Sequence, residues 1–124
     1  MNNIFRLRRN ISEKPWILIR DSVLGRYQSI DTAIDVQPGQ IVQVKFRNLD
    51  SADAVSNYVE ISFRGDVHSQ SYNETFTKAQ LDTMPGVILS YTMEYPQTKM
   101  TIYNYKPGGT TTMLRTYIYY RILT

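Results

Sequence analysis

The sequence predicts an all-β fold, an antiparallel β-sandwich or jelly roll of about seven to nine strands with one short helical turn. Apolar and polar residues alternate with a period of two along most of the chain, and no long segment has helical periodicity. At 124 residues the chain fits one domain, which can bury about two-thirds of its unfolded surface in a single core. We therefore predict a basic N-terminal arm at residues 1–12 and a single β-sandwich domain at residues 13–124.

The upstream half contains several segments with the strand pattern. Short candidates are "NIFRLRR" at residues 3–9 and "WILIR" at residues 16–20. The stretch "TAIDVQPGQIVQVKF" at residues 32–46 predicts two strands joined by a Pro-Gly turn, and "NYVEISFRG" at residues 57–65 predicts another strand. The side chains predicted to face the core are Val42, Val44, Phe46, Val59, Ile61 and Phe63, and those predicted to face outward are Gln43, Lys45 and Arg47.

The downstream half predicts a three-stranded meander within one sheet. The segment "VILSYTMEY" at residues 87–95 is a half-buried strand, which a turn at Pro96 follows, and "KPGGT" at residues 106–110 forms the next turn. The apolar face of the first strand is predicted to comprise Val87, Leu89, Tyr91, Met93 and Tyr95. The expected cross-strand pairs are Tyr91 with Ile102, Glu94 with Lys99, and Ile102 with Leu114.

One helical turn is predicted in "TKAQLDTM" at residues 77–84. Thr77 is a suitable N-cap, because its hydroxyl can accept a hydrogen bond from a free backbone N–H of the first turn. Pro85 and Gly86 are expected to end the helix.

The outer face of the predicted meander is rich in tyrosine and arginine. The residues expected there are Tyr103, Tyr105, Arg115, Tyr117, Tyr119 and Arg121, whereas Tyr120 is expected to point inward. These residue types are favoured in the buried centres of protein interfaces, since each combines a large contact area with a polar group. Three interpretations remain open: the second sheet or the arm covers this face, another subunit covers it, or it is open and stacks on sugar rings or bases.

Charge is unevenly distributed around the formal net charge of +3. Residues 1–20 hold five bases and one acid, residues 21–94 hold ten acids and five bases, and residues 95–124 hold four bases and no acid. The arm contributes Phe5, Arg6, Leu7, Arg8 and Arg9, which suit a packed or intersubunit arm, a weaker contact with nucleic acid, or ordinary surface.

Several classes of protein are disfavoured by what the chain lacks. It has no cysteine, which rules out disulfides and thiolate zinc sites. No stretch approaches the roughly 20 apolar residues of a membrane span, and residues 1–10 lack the apolar region of a secretory signal. We therefore expect a soluble protein without membrane contact, and no cofactor is predicted.

Catalytic and metal-binding motifs are weak. The single histidine, His68, follows Asp66 in a loop, and its candidate nucleophiles would be Ser62, Ser69 and Ser71. A solvated loop histidine is the simpler interpretation, so no catalytic residue is assigned. Carboxylate and amide oxygens at Asp50, Asp53 and Asn57 lack the spacing of a calcium loop, and no metal site is predicted.

These observations favour a non-enzymatic structural or assembly protein. Virus and phage structural proteins are commonly small β-sandwiches with extended arms, which suggests a capsid decoration or minor capsid protein. Its expected partners are copies of itself or other shell proteins, and its expected location is the virion, assembled in the host cytoplasm. The alternative is a carbohydrate-binding β-sandwich module whose exposed tyrosines stack on glycans; an enzyme built on His68 and Asp66 is the third class.

Overall fold

The structure, a computed structural model, describes residues 14–20, 23–24, 27–48, 57–105 and 114–124. These ranges contain nine strands and one short helix. In chain order the elements are β1 (Ile17–Arg20), β2 (Val23–Leu24), β3 (Ser29–Val36), β4 (Ile41–Asn48), β5 (Asn57–Arg64), β6 (Ser69–Phe76), α1 (Lys78–Asp82), β7 (Val87–Thr92), β8 (Gln97–Asn104) and β9 (Leu114–Leu123). The predicted all-β sandwich is confirmed.

The strands form two antiparallel sheets. A five-stranded sheet has the order β1-β9-β4-β7, with β2 also paired to β9, and a four-stranded sheet has the order β3-β8-β5-β6. Among the strands from β3 to β9, only β5 and β6 are consecutive neighbours in one sheet, because every other connection passes from one sheet to the other. The two four-strand paths, β1-β9-β4-β7 and β3-β8-β5-β6, with connections that alternate between the sheets, are the arrangement of a jelly roll.

The predicted meander is wrong. β7 pairs with β4, where Tyr91 lies opposite Val42, and β8 pairs with β3 and β5, where Ile102 lies opposite both Ile30 and Ile61. Leu114 in β9 lies opposite Leu24. The apolar faces of β7 and β8 therefore belong to different sheets of the sandwich. The turn after β7 carries the chain across the sandwich, so neither of the predicted hairpins forms.

The core lies between the sheets and has the side chains that the alternation predicted. Val42, Val44 and Phe46 from one sheet, and Val59, Ile61 and Phe63 from the other, have none of their surface exposed. Burying one such large apolar side chain contributes roughly 1.5–3 kcal/mol before entropy is counted.

A hydrogen-bonded polar pair, Tyr91 and Glu74, connects the two sheets beside this core. The Tyr91 hydroxyl donates to Glu74 Oε1 over 3.0 Å, and the Tyr91 ring stacks on Tyr72 with centroids 4.4 Å apart. Burial, followed by the hydrogen bond and charge of Glu74, strongly raises the pKa of Tyr91.

The helix is short and capped as predicted. The Thr77 hydroxyl accepts from the Gln80 N–H over 3.3 Å, and Gln80 Oε1 accepts from the Thr77 N–H over 2.8 Å. Leu81 enters the core. After the helix, Gly86 has a φ of +97°, and a Cβ there would collide with the carbonyl oxygen of Phe46. No helix in the described ranges has the length and apolar character needed to cross a membrane.

Candidate interaction face and loop cleft

The tyrosines and arginines predicted to form one face are divided between two. Tyr103 and Tyr105 lie at the outer side of the four-stranded sheet, whereas Tyr117, Tyr119 and Arg121 lie at the outer side of the five-stranded sheet. The prediction that they point away from the core is correct, and the prediction that they share a face is wrong, because β8 and β9 do not pair. Arg115 lies opposite Val23, and its side chain is outside the described set, as are the arm residues Phe5, Arg6, Leu7, Arg8 and Arg9.

The outer side of the five-stranded sheet combines cations with aromatic rings. Its pairing places Gln43 opposite Arg121, Lys45 opposite Tyr119, and Arg47 opposite Tyr117. Trp16, just before β1, lies against the same side through its contacts with Lys45 and Arg121. We call this surface the basic face; its members are Trp16, Gln43, Lys45, Arg47, Tyr117, Tyr119 and Arg121.

Arg121 fixes the segment before β1 on the basic face. Its Nε donates to Gln43 Oε1 and its Nη1 donates to the Lys14 carbonyl oxygen, both over 2.8 Å. Its guanidinium carbon lies 4.1 Å from the centroid of the Trp16 ring. A guanidinium held by two hydrogen bonds and a ring loses little further freedom when a partner binds over it.

Lys45 lies at the centre of the basic face. Its Nζ is 4.7 Å from the ring centroids of both Trp16 and Tyr119, a distance at which the ring faces attract a cation. Burial, and then the positive charges of Arg121 and Arg47, lower the pKa of Lys45. An approaching anion would relieve this repulsion between neighbouring cations.

The two sheets differ in charge. The strands of the five-stranded sheet contain no Asp or Glu, and their basic residues are Arg20, Lys45, Arg47, Arg115 and Arg121. The strands of the four-stranded sheet contain four acids, Asp31, Asp35, Glu60 and Glu74, and two bases, Arg64 and Lys99. On its outer side, Asp31 accepts from the Thr101 hydroxyl over 2.7 Å and lies 3.5 Å from the Lys99 ammonium. The Thr101 hydrogen bond, and then the charge of Lys99, lower the pKa of Asp31.

A cleft of about 320 Å³ lies at one end of the sandwich, between the β5–β6 and β7–β8 loops. Its lining residues are Asp66, Val67, His68, Tyr95, Pro96 and Thr98. The His68 and Tyr95 rings lie 4.0 Å apart, and Tyr95 is 38% exposed. The prediction that Tyr95 belongs to the apolar face of its strand is wrong, because β7 ends at Thr92 and the chain turns there.

The loop cleft is held by contacts from three sides. Gln70 bridges β6 to the β7–β8 loop: its Nε2 donates to the Thr92 carbonyl over 3.4 Å, and its Oε1 accepts from the Glu94 N–H over 3.0 Å. The Pro96 carbonyl occupies the space that a Cβ of Gly65 would need. Met93 exchanges backbone hydrogen bonds with the β3–β4 turn.

The residues that the third, enzymatic interpretation would need are only partly brought together. Asp66 and His68 both line the loop cleft. The Ser62 hydroxyl lies 3.1 Å from the hydroxyl of Ser71, and it also donates to Glu60. Ser69 is exposed at the start of β6.

The oxygen-bearing residues that were weighed and rejected as a calcium loop lie mostly beyond the described residues. This applies to Asp50 and Asp53, and Asn57 is described only in its backbone position at the start of β5. Within the described part of the chain, no group of three His, Cys, Asp or Glu residues is arranged to hold a metal ion.

Two features of these sites were missed from the sequence. The clustering of Trp16 with Lys45 and Arg121 depends on β9 lying between β1 and β4, and nothing local in the chain signals that order. The aromatic wall at Tyr95 depends on where β7 ends, and the alternation in "VILSYTMEY" continues past that point.

Comparison with known proteins adds no assignment: no family model matches the chain, and no curated protein matches it. The candidate functions therefore depend on the basic face and the loop cleft themselves.

Proposed function

We propose that this chain is a non-enzymatic assembly protein and a component of a virus or phage particle, such as a capsid decoration or minor capsid protein assembled in the host cytoplasm. The observation that carries the proposal is the basic face, whose described cations are Lys45, Arg47 and Arg121 and which lies on a sheet whose strands contain no acid. Jelly rolls also occur in viral capsids. That likeness is an analogy of fold and adds little alone, because one fold serves many functions.

The composition of the basic face suits protein contact. Trp, Tyr and Arg are the residues most often found where truncation weakens an interface most. Here Trp16, Tyr119 and Arg121 surround one lysine, and all three are partly exposed. Because Arg121 is already fixed by Gln43 and Lys14, a partner would pay little entropy to order it.

The positive charge of the basic face determines which surface of a second copy it can contact. Two basic faces brought together would set like charges opposite one another, which costs several kcal/mol in an interface. The described acids all lie outside the five-stranded sheet. The contact that fits is therefore heterologous, with the basic face of one copy against an acidic surface of the next. Such contacts give closed rings or open chains.

Sedimentation velocity of the wild type and of one double variant tests this proposal. Lys45→Ala with Tyr119→Ala removes the central cation and one of its rings, and we expect a folded monomer where the wild type forms a closed oligomer or chain. Tyr95→Ala is the matched control, since it removes an exposed tyrosine away from the basic face, and it should assemble as the wild type does. A wild type that stays monomeric at every concentration, or a double variant that assembles normally, would contradict the proposal.

A further inference from the structure

We propose a second binding site in this protein: the loop cleft accepts one neutral pyranose ring. This site lies away from the basic face and does not depend on the proposed assembly. At about 320 Å³, the cleft is at the small end of the roughly 300–1,000 Å³ typical of ligand pockets. That size suits a single sugar ring.

One wall of the cleft is an aromatic platform. Tyr95 packs on His68 with ring centroids 4.0 Å apart, and 38% of Tyr95 remains exposed. The face of an aromatic ring carries partial negative charge, and the C–H bonds on one face of a pyranose carry partial positive charge, so the two attract. Val67, which is 81% exposed, and Pro96 supply further apolar surface beside the platform.

The polar groups of the cleft are mainly acceptors. The Asp66 carboxylate can accept from two neighbouring hydroxyls of one ring, a bidentate geometry that fixes orientation. The Thr98 hydroxyl donates to the Arg64 carbonyl over 3.4 Å, which leaves its oxygen free to accept. A ligand with several hydroxyl donors on one edge and C–H groups on one face matches this arrangement.

Charged ligands fit less well. Among the described residues, no Lys or Arg lines the cleft, and Asp66 would repel a phosphate or carboxylate. An organic cation is best held between several ring faces, whereas here the His68 and Tyr95 rings pack against each other at 33° and form one wall. A neutral sugar avoids both difficulties.

The cleft is also preorganised. Gln70 ties β6 to the β7–β8 loop through Thr92 and Glu94, and Gly65 and Pro96 approach so closely that no side chain at residue 65 would fit between the two loops. Rigid walls reduce the ordering cost of binding. With one ring and few polar contacts, the expected dissociation constant is in the millimolar range, about 1–10 mM.

Chemical-shift titration of the full chain tests the site directly. The probes are the methyl glycosides of glucose, galactose, mannose and N-acetylglucosamine, each added to the isotopically labelled protein. We expect saturable amide shifts, for at least one probe, confined to residues 66–68 and 95–98. Tetramethylammonium and inorganic phosphate serve as charged probes, and saturable shifts at the same residues with either of them but with no glycoside would overturn the proposal.

Three variants separate stacking from general effects. Tyr95→Ala should weaken binding about tenfold or more, whereas Tyr95→Phe keeps the ring and should stay within about threefold of the wild type. Asp66→Asn should weaken binding severalfold. Tyr119→Ala, on the basic face, should leave it unchanged, and unaltered shifts outside the loops will show that each variant is folded. Absence of shifts with all four glycosides, or equal binding by Tyr95→Ala, would overturn the proposal.

Discussion

Gln97 is a glutamine whose replacement by an apolar residue should stabilise the protein. It lies in β8 opposite Val36, and only 1% of it is exposed. Within the described part of the structure, neither Nε2 nor Oε1 has a hydrogen-bond partner. A buried polar group left without a partner costs about 1–3 kcal/mol, and replacing it by an apolar group of the same shape removes that cost.

Methionine is close to glutamine in length and volume, so Gln97→Met should fill the same space. We expect the free energy of unfolding to rise by about 1–3 kcal/mol, which in a chain of this size moves the melting temperature up by roughly 4 °C per kcal/mol. Urea unfolding followed by circular dichroism measures the difference, with an unchanged m value as the sign that only stability has changed.

Gln70→Met is the matched control. This glutamine donates to the Tyr72 hydroxyl over 2.8 Å and also bonds Thr92 and Glu94. The same substitution should therefore lower the free energy of unfolding by about 0.5–1.5 kcal/mol, the net contribution of a typical hydrogen bond, since water can replace the glutamine at the exposed Thr92 and Glu94 groups. If Gln97→Met also lowered stability by a similar amount, the Gln97 amide would have partners in solution and the reasoning would be refuted.

Three further results are expected. Tyr91→Phe should lower the free energy of unfolding by about 1–3 kcal/mol at neutral pH, because Glu74 loses its hydrogen-bond donor. Since the pKa of Tyr91 is raised in the folded state, this contribution is complete below the ordinary value of 10.0 and fades at higher pH. A difference between wild type and variant that stays constant above that pH, measured by urea unfolding, would contradict the reasoning. Gly86→Ala should cost more than about 1 kcal/mol, because φ is positive and Phe46 blocks the Cβ; a neutral effect on the melting temperature would contradict this. Deleting residues 1–9 should weaken assembly in sedimentation while the sandwich still folds, and unchanged assembly would refute a role for the arm.

The sequence predicted which way each side chain points better than it predicted which strands are neighbours. Val42, Val59 and their companions were placed correctly because alternation reports burial on one face, whatever the partner strand. Alternation could not identify the partners of Ile102. It pairs with Ile30 and Ile61, which are distant in sequence and no more apolar than Leu114, the partner that the sequence had predicted.

The same limit explains the candidate sites. Lys45 was correctly predicted to face outward, yet its neighbours Trp16 and Tyr119 come from opposite ends of the chain. Only the sheet order brings them together. Tyr95 lies in the loop cleft because β7 ends at Thr92 and the chain turns, although the apolar alternation runs on to Tyr95. The local sequence pattern therefore predicts which way a side chain points, whereas the residues that meet at the basic face and the loop cleft are determined by pairing between strands that are distant in sequence.

Zero-length cross-linking of amines to carboxylates tests the heterologous basic-face contact most directly. A mixture of isotopically labelled and unlabelled protein distinguishes links between copies from links within one copy. Lys78 and Asp82, 3.7 Å apart within one helix, provide the internal positive control. We predict links from Lys45 to an Asp or Glu of a different copy. If Lys78 cross-links and Lys45 forms no link between copies, the basic face is not the surface through which the protein assembles.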